Sequence, residues 1–293
     1  MSLGALYRQA RPVVSFELFP PKTDPGVSNL VEHLHELARC QPAFITCTYG
    51  AGGSTRGRTL EVLRRVREAY PAIPVASHLT CVGSTVAELQ AYVAEAVAAG
   101  VEHLVALRGD PPKGEQTFQA VAGGLAHADE LVALLRAEFP LLGLLVAGYP
   151  EVHPEATSPE ADLDHLKRKV DAGADVILTQ LFYDNAVYFR FRDRCADKGI
   201  NIPIVPGVLP ITRLEQVKPD KTMFGSQVPD TLIRRLQAHP NDEEGQFSAG
   251  AYFAARQVEE LLEEGAPGVH FYVLNKSRAA AHICRALALF EGV

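Results

Sequence analysis

Residues 162–184 read DLDHLKRKVDAGADVILTQLFYD, and the change of texture inside that stretch decides the fold. Its first half, Asp162–Ala172, opens with acids and runs into bases, the order that suits a helix dipole. Gly173 then sits where a helix ends in a left-handed residue. The second half, Val176–Tyr183, is apolar with little alternation, as a parallel strand buried on both faces should be. One helix, one glycine and one strand make a single αβ unit.

The same unit recurs outward in both directions. Ser84–Ala99 is read as a helix, with Thr85 and Glu88 at capping-box spacing and Leu89, Val93 and Val97 four residues apart. Gly100 and Gly199 end further helices just before strands. The expected strands are Val13–Phe19, Phe44–Tyr49, Pro74–Cys81, His103–Arg108, Leu141–Tyr149, Val176–Tyr183, Ile202–Leu209 and Val269–Leu274. Their starts lie roughly 26 to 38 residues apart, apart from a final gap about twice as long. Eight such strands alternating with helices predict one (β/α)8 TIM barrel over residues 1–293, with an extra helical segment or lid within Thr212–Pro240, between strands 7 and 8.

Composition narrows the function. With 47% hydrophobic and 22% charged residues the chain is neither disordered nor fibrous. A net charge of −7, and no run of Lys and Arg longer than three, oppose a nucleic-acid partner. The five cysteines, Cys40, Cys47, Cys81, Cys195 and Cys284, contain no C-x-x-C pair, so zinc ribbons and a disulfide scaffold lose support. Neither a signal peptide nor an apolar run long enough to span a membrane is read, and a reducing cytoplasm is the expected setting. No H-E-x-x-H or carboxylate cluster suggests a metal, and His33 and His35 read as a helix-surface pair.

Barrel enzymes carry their chemistry at the C-terminal ends of the strands. Here those ends hold Glu17, Thr48-Tyr49-Gly50-Ala51, His78, Arg108-Gly109-Asp110, Tyr149 to His153, and Thr179-Gln180. Glu17 stands among Phe16, Leu18 and Phe19. It is either a structural ion-pair partner of an arginine or a general acid whose pKa the apolar pocket raises. Gly50-Ala51-Gly52-Gly53-Ser54-Thr55 fails the dinucleotide fingerprint because Thr55 occupies the third glycine position. Asp162, His165, Arg168 and Lys169 fall largely on one helix face, which is either solvated or a site where two cations hold a diphosphate and Asp162 takes ribose hydroxyls.

Taken together, SFELFPPK, FITCTYGAGGSTR, SHLTC, HLVALRGDPP, AGYPEVHPEA, the 162–184 stretch, IPIVPGVLPI and VHFYVLNKS resemble the methylenetetrahydrofolate reductase family. The resemblance covers almost the whole chain and is closest in kind to the bacterial type, the catalytic barrel alone. It implies a flavoprotein oxidoreductase that binds FAD, with hydride passing from NADH or NADPH to the flavin and then to 5,10-methylenetetrahydrofolate in a ping-pong scheme. The product, 5-methyltetrahydrofolate, supplies methyl groups for methionine synthesis, and the bacterial members are homo-oligomers. Glu17 matches the acid that protonates the folate ring, and Asp110 the aspartate beside flavin and pterin. Gln180, Gln216 and Lys276 match substrate contacts, and Thr48 a substrate or cofactor contact. Tyr49, Ala51, His78, Arg108, Gly109, Asp110, Ala128, Tyr149, His153, Asp162, His165, Arg168 and Lys169 match the FAD-binding set.

Four positions depart from the family's pattern. His165 replaces a commonly polar residue, and His127 stands before Ala128 where tyrosine is usual. Lys276 replaces an arginine, keeping charge without the bidentate fork. Asp220 stands where some members carry phenylalanine, the nearest aromatic being Phe224. Two rivals keep the barrel: direct hydride transfer without flavin, and folate binding without turnover. Retained Asp162, Arg168 and Lys169 favour the flavin, and intact Glu17 and Asp110 favour catalysis. A third, another flavin barrel such as proline dehydrogenase, does not suit SFELFPP and TYGA.

Overall fold

The unalternating apolar runs become short parallel strands buried on both faces. The computed structural model describes residues 3–290 except 10, 22, 50–55, 112, 113, 115, 116, 218, 219, 221 and 224, and not the side chains of 31–33. In chain order the elements are α1 (Leu3–Leu6), β1 (Val13–Leu18), α2 (Asp24–Ala38), β2 (Phe44–Cys47), α3 (Arg56–Ala69), β3 (Val75–Thr80), α4 (Val86–Ala98) and β4 (His103–Leu107). Next come α5 (Ala128–Glu138), β5 (Gly143–Gly148), α6 (Pro159–Asp171), β6 (Val176–Thr179), α7 (Asn185–Asp197), β7 (Ile204–Val205) and β8 (Gly207–Val208). The last are β9 (Thr222–Met223), β10 (Ser226–Gln227), α8 (Asp230–Gln237), α9 (Glu243–Glu263), β11 (Gly268–Tyr272) and α10 (Ser277–Ala286).

Hydrogen-bonded neighbours run β7-β6-β5-β4-β3-β2-β1-β11-β8. Since β7 and β8 are two halves of one strand, the ring closes into the expected (β/α)8 barrel. Pro206, which has no N–H, separates the halves. Its carbonyl still accepts from His270 N at 2.9 Å, while Gly207 N donates to the Thr179 hydroxyl at 2.9 Å. A side chain on Gly207 would run into the Thr179 carbonyl and the Tyr272 ring, so the seam tolerates only glycine there.

Several strands end earlier than the apolar runs suggest. Tyr49, Leu181–Tyr183, Leu209 and Leu274 lie past the ladder, and Leu141, read as the start of the fifth strand, is fully exposed at 99%. Four of these, Leu181, Tyr183, Leu209 and Leu274, pack with Ile211, Met223, Val228 and Leu232 in an apolar cluster past the ends of β6 and β8. That cluster anchors the segment between strands 7 and 8. There the expected helix is α8, joined by a 3-10 turn (Leu214–Gln216) and the β9–β10 hairpin.

Local signals explain the helix ends. Thr85 and Glu88 form the expected capping box, with Thr85 N donating to Glu88 at 2.8 Å. α6 begins before Asp162: Ser158 is the N-cap, accepting from Ala161 N, and Pro159 takes the first turn. Asp162 is thereby freed for the site. At the opposite end of the barrel α1 and the residue after it carry Leu3 and Tyr7 into the interior layer of Phe44, Ala76, Val105, Leu145, Val176 and Val205. No helix among the described residues is long and apolar enough to cross a membrane.

Candidate active site

A cleft of about 370 Å³ opens over the C-terminal ends of β3, β4 and β5, walled by the first turns of α5 and the inner face of α6. It gathers Tyr49, Arg108, Gly109, Asp110, Ala128, Tyr149, His153, Asp162, His165, Arg168 and Lys169, all assigned to a cofactor from sequence. The single face drawn on α6 lines this cleft. Gly109 has a φ of 90°, and a Cβ there would come within 2.9 Å of Val82 and 3.0 Å of Thr80. Without a side chain the backbone leaves the cleft open for close approach. Thr80 lines the cleft, and its buried hydroxyl oxygen has no hydrogen-bond partner among the described residues.

Lys169 supplies the cleft floor with a cation. Its stem is half-buried and its ammonium lies deep, donating to the Ala147 carbonyl at 2.6 Å. Burial lowers its pKa to about 8, against the opposing pull of Asp162 and Asp129. Asp162 also accepts from His153 N at 3.1 Å, and Arg168 lies 3.7 Å from Asp129 across the α5–α6 wall. His153 accepts at Nδ1 from Glu155 N, and burial lowers its pKa. Its ring meets the edge of Tyr149, whose hydroxyl burial pushes up to about 12.

Glu155 was not anticipated. Its carboxylate takes both arms of the Arg108 guanidinium, at 2.7 and 2.9 Å, and that contact holds its own pKa low. Arg108 also lies over the Phe118 ring at 5.1 Å. The fork assigned to the cofactor is thus closed by a carboxylate from the EVHPEA stretch.

Glu17 lies within the barrel rather than in the cleft lining, 6% exposed. Neither the expected arginine partner nor the expected upward shift is found. Its neighbours are two histidines, His78 Nε2 at 3.2 Å and His270 Nε2 at 3.8 Å, neither aligned for a hydrogen bond. Burial is the largest single influence and would raise the Glu17 pKa, but the charges and contacts of His78 and His270 together outweigh it and lower it to about 2. Ser15 Oγ sits 2.8 Å from His270 Nδ1, and burial lowers the pKa of His270. The pairing register explains the cluster, since Ser15 faces His270 and Glu17 faces Tyr272 across β1 and β11. Polar residues two apart on both strands were the available signal. His78, assigned to the cofactor, is a neighbour of Glu17 and lies outside the cleft lining.

The remaining expected residues divide. Thr48 lies outside the cleft lining, its carbonyl accepting from the Thr59 hydroxyl. Gln180 accepts from Leu181 N through its own side chain. Gln216 caps the 3-10 turn, accepting from Thr212 N and Arg213 N at 2.9 Å each. Asp220 accepts from Thr222 N and its hydroxyl, pinning the β9–β10 hairpin. Lys276 is exposed at the N-cap of α10. Beside it Asn275 ties the loops after β1 and β11 by exchanging two hydrogen bonds with the Phe19 backbone. Ala51, with the rest of residues 50–55, and Phe224 lie outside the described residues. No cluster of potential metal ligands occurs among the described residues.

Residues 3–288 match the family model described as methylenetetrahydrofolate reductase. The chain belongs to the methylenetetrahydrofolate reductase family. It is 39% identical to the 5,10-methylenetetrahydrofolate reductase of Salmonella typhimurium over 96% of this chain and 92% of that protein. The Escherichia coli protein of the same name is 38% identical over the same shares. The methylenetetrahydrofolate reductase (NADH) 1 of Arabidopsis thaliana is 37% identical over 99% of this chain. The chain spans about half the length of the plant relatives. Among solved structures, an uncharacterized Clostridium thermocellum protein that binds two copies of 5-methyl-5,6,7,8-tetrahydrofolic acid has a TM-score of 0.63 at 14% identity, covering 98% of this chain and 99% of that one. At that identity the likeness is one of fold.

Proposed function

We propose that this chain reduces 5,10-methylenetetrahydrofolate to 5-methyltetrahydrofolate, using NADH or NADPH and a bound FAD. The observation that carries the flavin is the cleft itself, which collects eleven of the expected cofactor residues in one cavity of ordinary ligand-site size. Lys169, Arg168 and the imidazoles of His153 and His165 would face the diphosphate, and Asp162 the ribose hydroxyls. Gly109 leaves room for a flat ring, and Thr80 offers an unused hydroxyl. A flavin bound in this cleft would supply two-electron transfer between the nicotinamide cofactor and the folate.

The folate end is the work of Glu17. In the resting site its carboxylate is ionised and shares the barrel interior with His78 and His270. A folate that seals the interior from water would deepen the burial of the Glu17 carboxylate, which penalises its charged form and favours the proton on Glu17, where it is needed for opening the folate ring. Asp110, exposed at the cleft rim, would offer negative charge to the cationic form of the opened ring. Family membership supports this substrate.

The purified protein should show a flavin absorbance spectrum that bleaches when NADH or NADPH is added without oxygen. Methylenetetrahydrofolate should then restore the colour. A protein that neither carries nor takes up FAD, yet still oxidises NADH with the folate, would replace this scheme with direct hydride transfer.

A further inference from the structure

Two polar side chains of the barrel interior take no part in the chemistry proposed so far. His270 on β11 and Ser15, its partner in register on β1, are both wholly buried. Ser15 Oγ lies 2.8 Å from His270 Nδ1. Phe44 stacks against the imidazole with ring centres 6.3 Å apart, and Tyr272 stands edge-on to it at 5.3 Å. Tyr272 is itself fixed, donating its hydroxyl to the Thr179 carbonyl at 2.7 Å. An imidazole gripped at one nitrogen and packed on its ring cannot turn freely, so Nε2 stays 3.8 Å from Glu17 Oε2. Keeping such a polar pair inside an apolar barrel is costly and calls for a reason.

Given Glu17 as the folate acid, a reading on which this rests, we propose that Ser15 and His270 are its positioning residues. The serine hydroxyl donates to Nδ1, and the imidazole proton stays on Nε2, facing the carboxylate. An N–H aimed at a carboxylate stabilises its charged form, which makes Glu17 a stronger acid. Burial alone would leave the carboxyl neutral and slow to release its proton. The other titratable groups nearby do not supply this. Cys47 of β2 and Tyr272 of β11 are neutral, since burial pushes both pKa values up. Burial likewise raises Tyr7, in the interior layer with Phe44, and lowers His103, edge-on to Phe44. On β8 the residue paired with His270 is Gly207, which has no side chain. His78 of β3 also faces Glu17, at 3.2 Å, and is left in place in every variant below.

Two readouts on the full chain test the pair. In the folate-free protein, the protonated-carboxyl infrared band that Glu17→Gln removes reports the titration of Glu17 directly. His270→Phe keeps a packed ring and loses both nitrogens, so the band should appear about one pH unit or more above its position in the parent. In the folate half-reaction, the alkaline limb of the pH–rate profile should move up with it, while the rate below the limb falls relative to flavin reduction by NADH. Ser15→Ala, a milder change, should move both readings the same way by less. His270→Gln, whose side-chain amide can donate from the place of Nε2, should return both towards the parent. Unmoved titration and limb in His270→Phe and Ser15→Ala would overturn the positioning role. So would an equal slowing of both half-reactions with no pH shift, which marks a residue that only packs. Equal loss of both half-reactions in Glu17→Gln would instead remove the folate acid, and the infrared titration would still decide whether Ser15 and His270 hold the carboxylate.

Discussion

Lys169 carries a charge that is poised to change. An ammonium lowered to about 8 is mostly cationic at pH 7 and is lost as the pH rises past 8, so affinity for an anionic ligand must fall over that range. FAD affinity, followed by flavin fluorescence, should weaken between pH 7 and pH 9.5, and Lys169→Arg, whose charge does not titrate there, should flatten the slope. The Arg108–Glu155 pair predicts the opposite sign. Glu155 competes for the guanidinium fork, and a half-exposed pair of this kind contributes at most about 1 kcal/mol, so Glu155→Gln should tighten FAD binding by no more than about fivefold. A weaker complex would mean that Glu155 itself contacts the ligand. Glu17 gives a test in two parts. Glu17→Gln should leave reduction of the flavin by NADH nearly intact while abolishing folate reduction, and equal loss in both half-reactions would remove its role as the folate acid. The same variant has a signature in stability. A carboxyl near 2 in the fold, against an ordinary 4.5, stabilises the folded chain above pH 4.5, and that contribution is lost as the pH falls towards 2. Urea unfolding of the two proteins across this range should show the wild-type chain losing stability more steeply.

Among the elements, the divided seventh strand shows how a missing backbone donor is absorbed. Pro206 interrupts the ladder, and the Thr179 hydroxyl accepts the Gly207 N–H at a fully buried position. Thr179→Val keeps the shape but leaves that N–H without a partner, which costs about 1–3 kcal/mol. Denaturant unfolding should show a loss of that size, and an unchanged midpoint would mean that Gly207 N finds another acceptor. The existence of the barrel strands was legible because parallel strands buried on both faces leave continuous apolar runs. Their C-terminal limits were not, since Leu181, Tyr183 and Leu209 continue the runs in order to build the apolar cluster of the strand 7–8 segment. The start of α6 was legible in principle from Ser158-Pro159, a cap followed by a proline, but the acid-to-base run after Asp162 was the louder signal.

The whole molecule has two unlike ends. Polar residues at the strand ends pointed to a candidate site in the sequence, and the cleft collects Tyr49, Arg108, Asp110, Tyr149 and His153, while Glu17, Thr48, His78, Thr179 and Gln180 lie outside its lining. Their pairings stayed hidden, because Arg108 meets Glu155 across 47 residues and His270 reaches Glu17 only through the β1–β11 register. No periodicity within either segment encodes such a partner. The opposite end was wholly illegible: α1 is a single turn, too short to show a helical repeat, yet Leu3 and Tyr7 are 2% and 5% exposed inside the barrel. Gly143 has no side chain where Leu3 and His103 press against it, so this plug is seated against β5 rather than draped over it. If that packing is part of the cooperative core, Leu3→Ala should destabilise the entire chain by about 2–5 kcal/mol, the usual cost of a cavity at a buried leucine. Urea unfolding followed by far-ultraviolet circular dichroism should then shift as one transition. A variant as stable as the parent would show α1 to be a loose end, with the barrel closed below by its own strands.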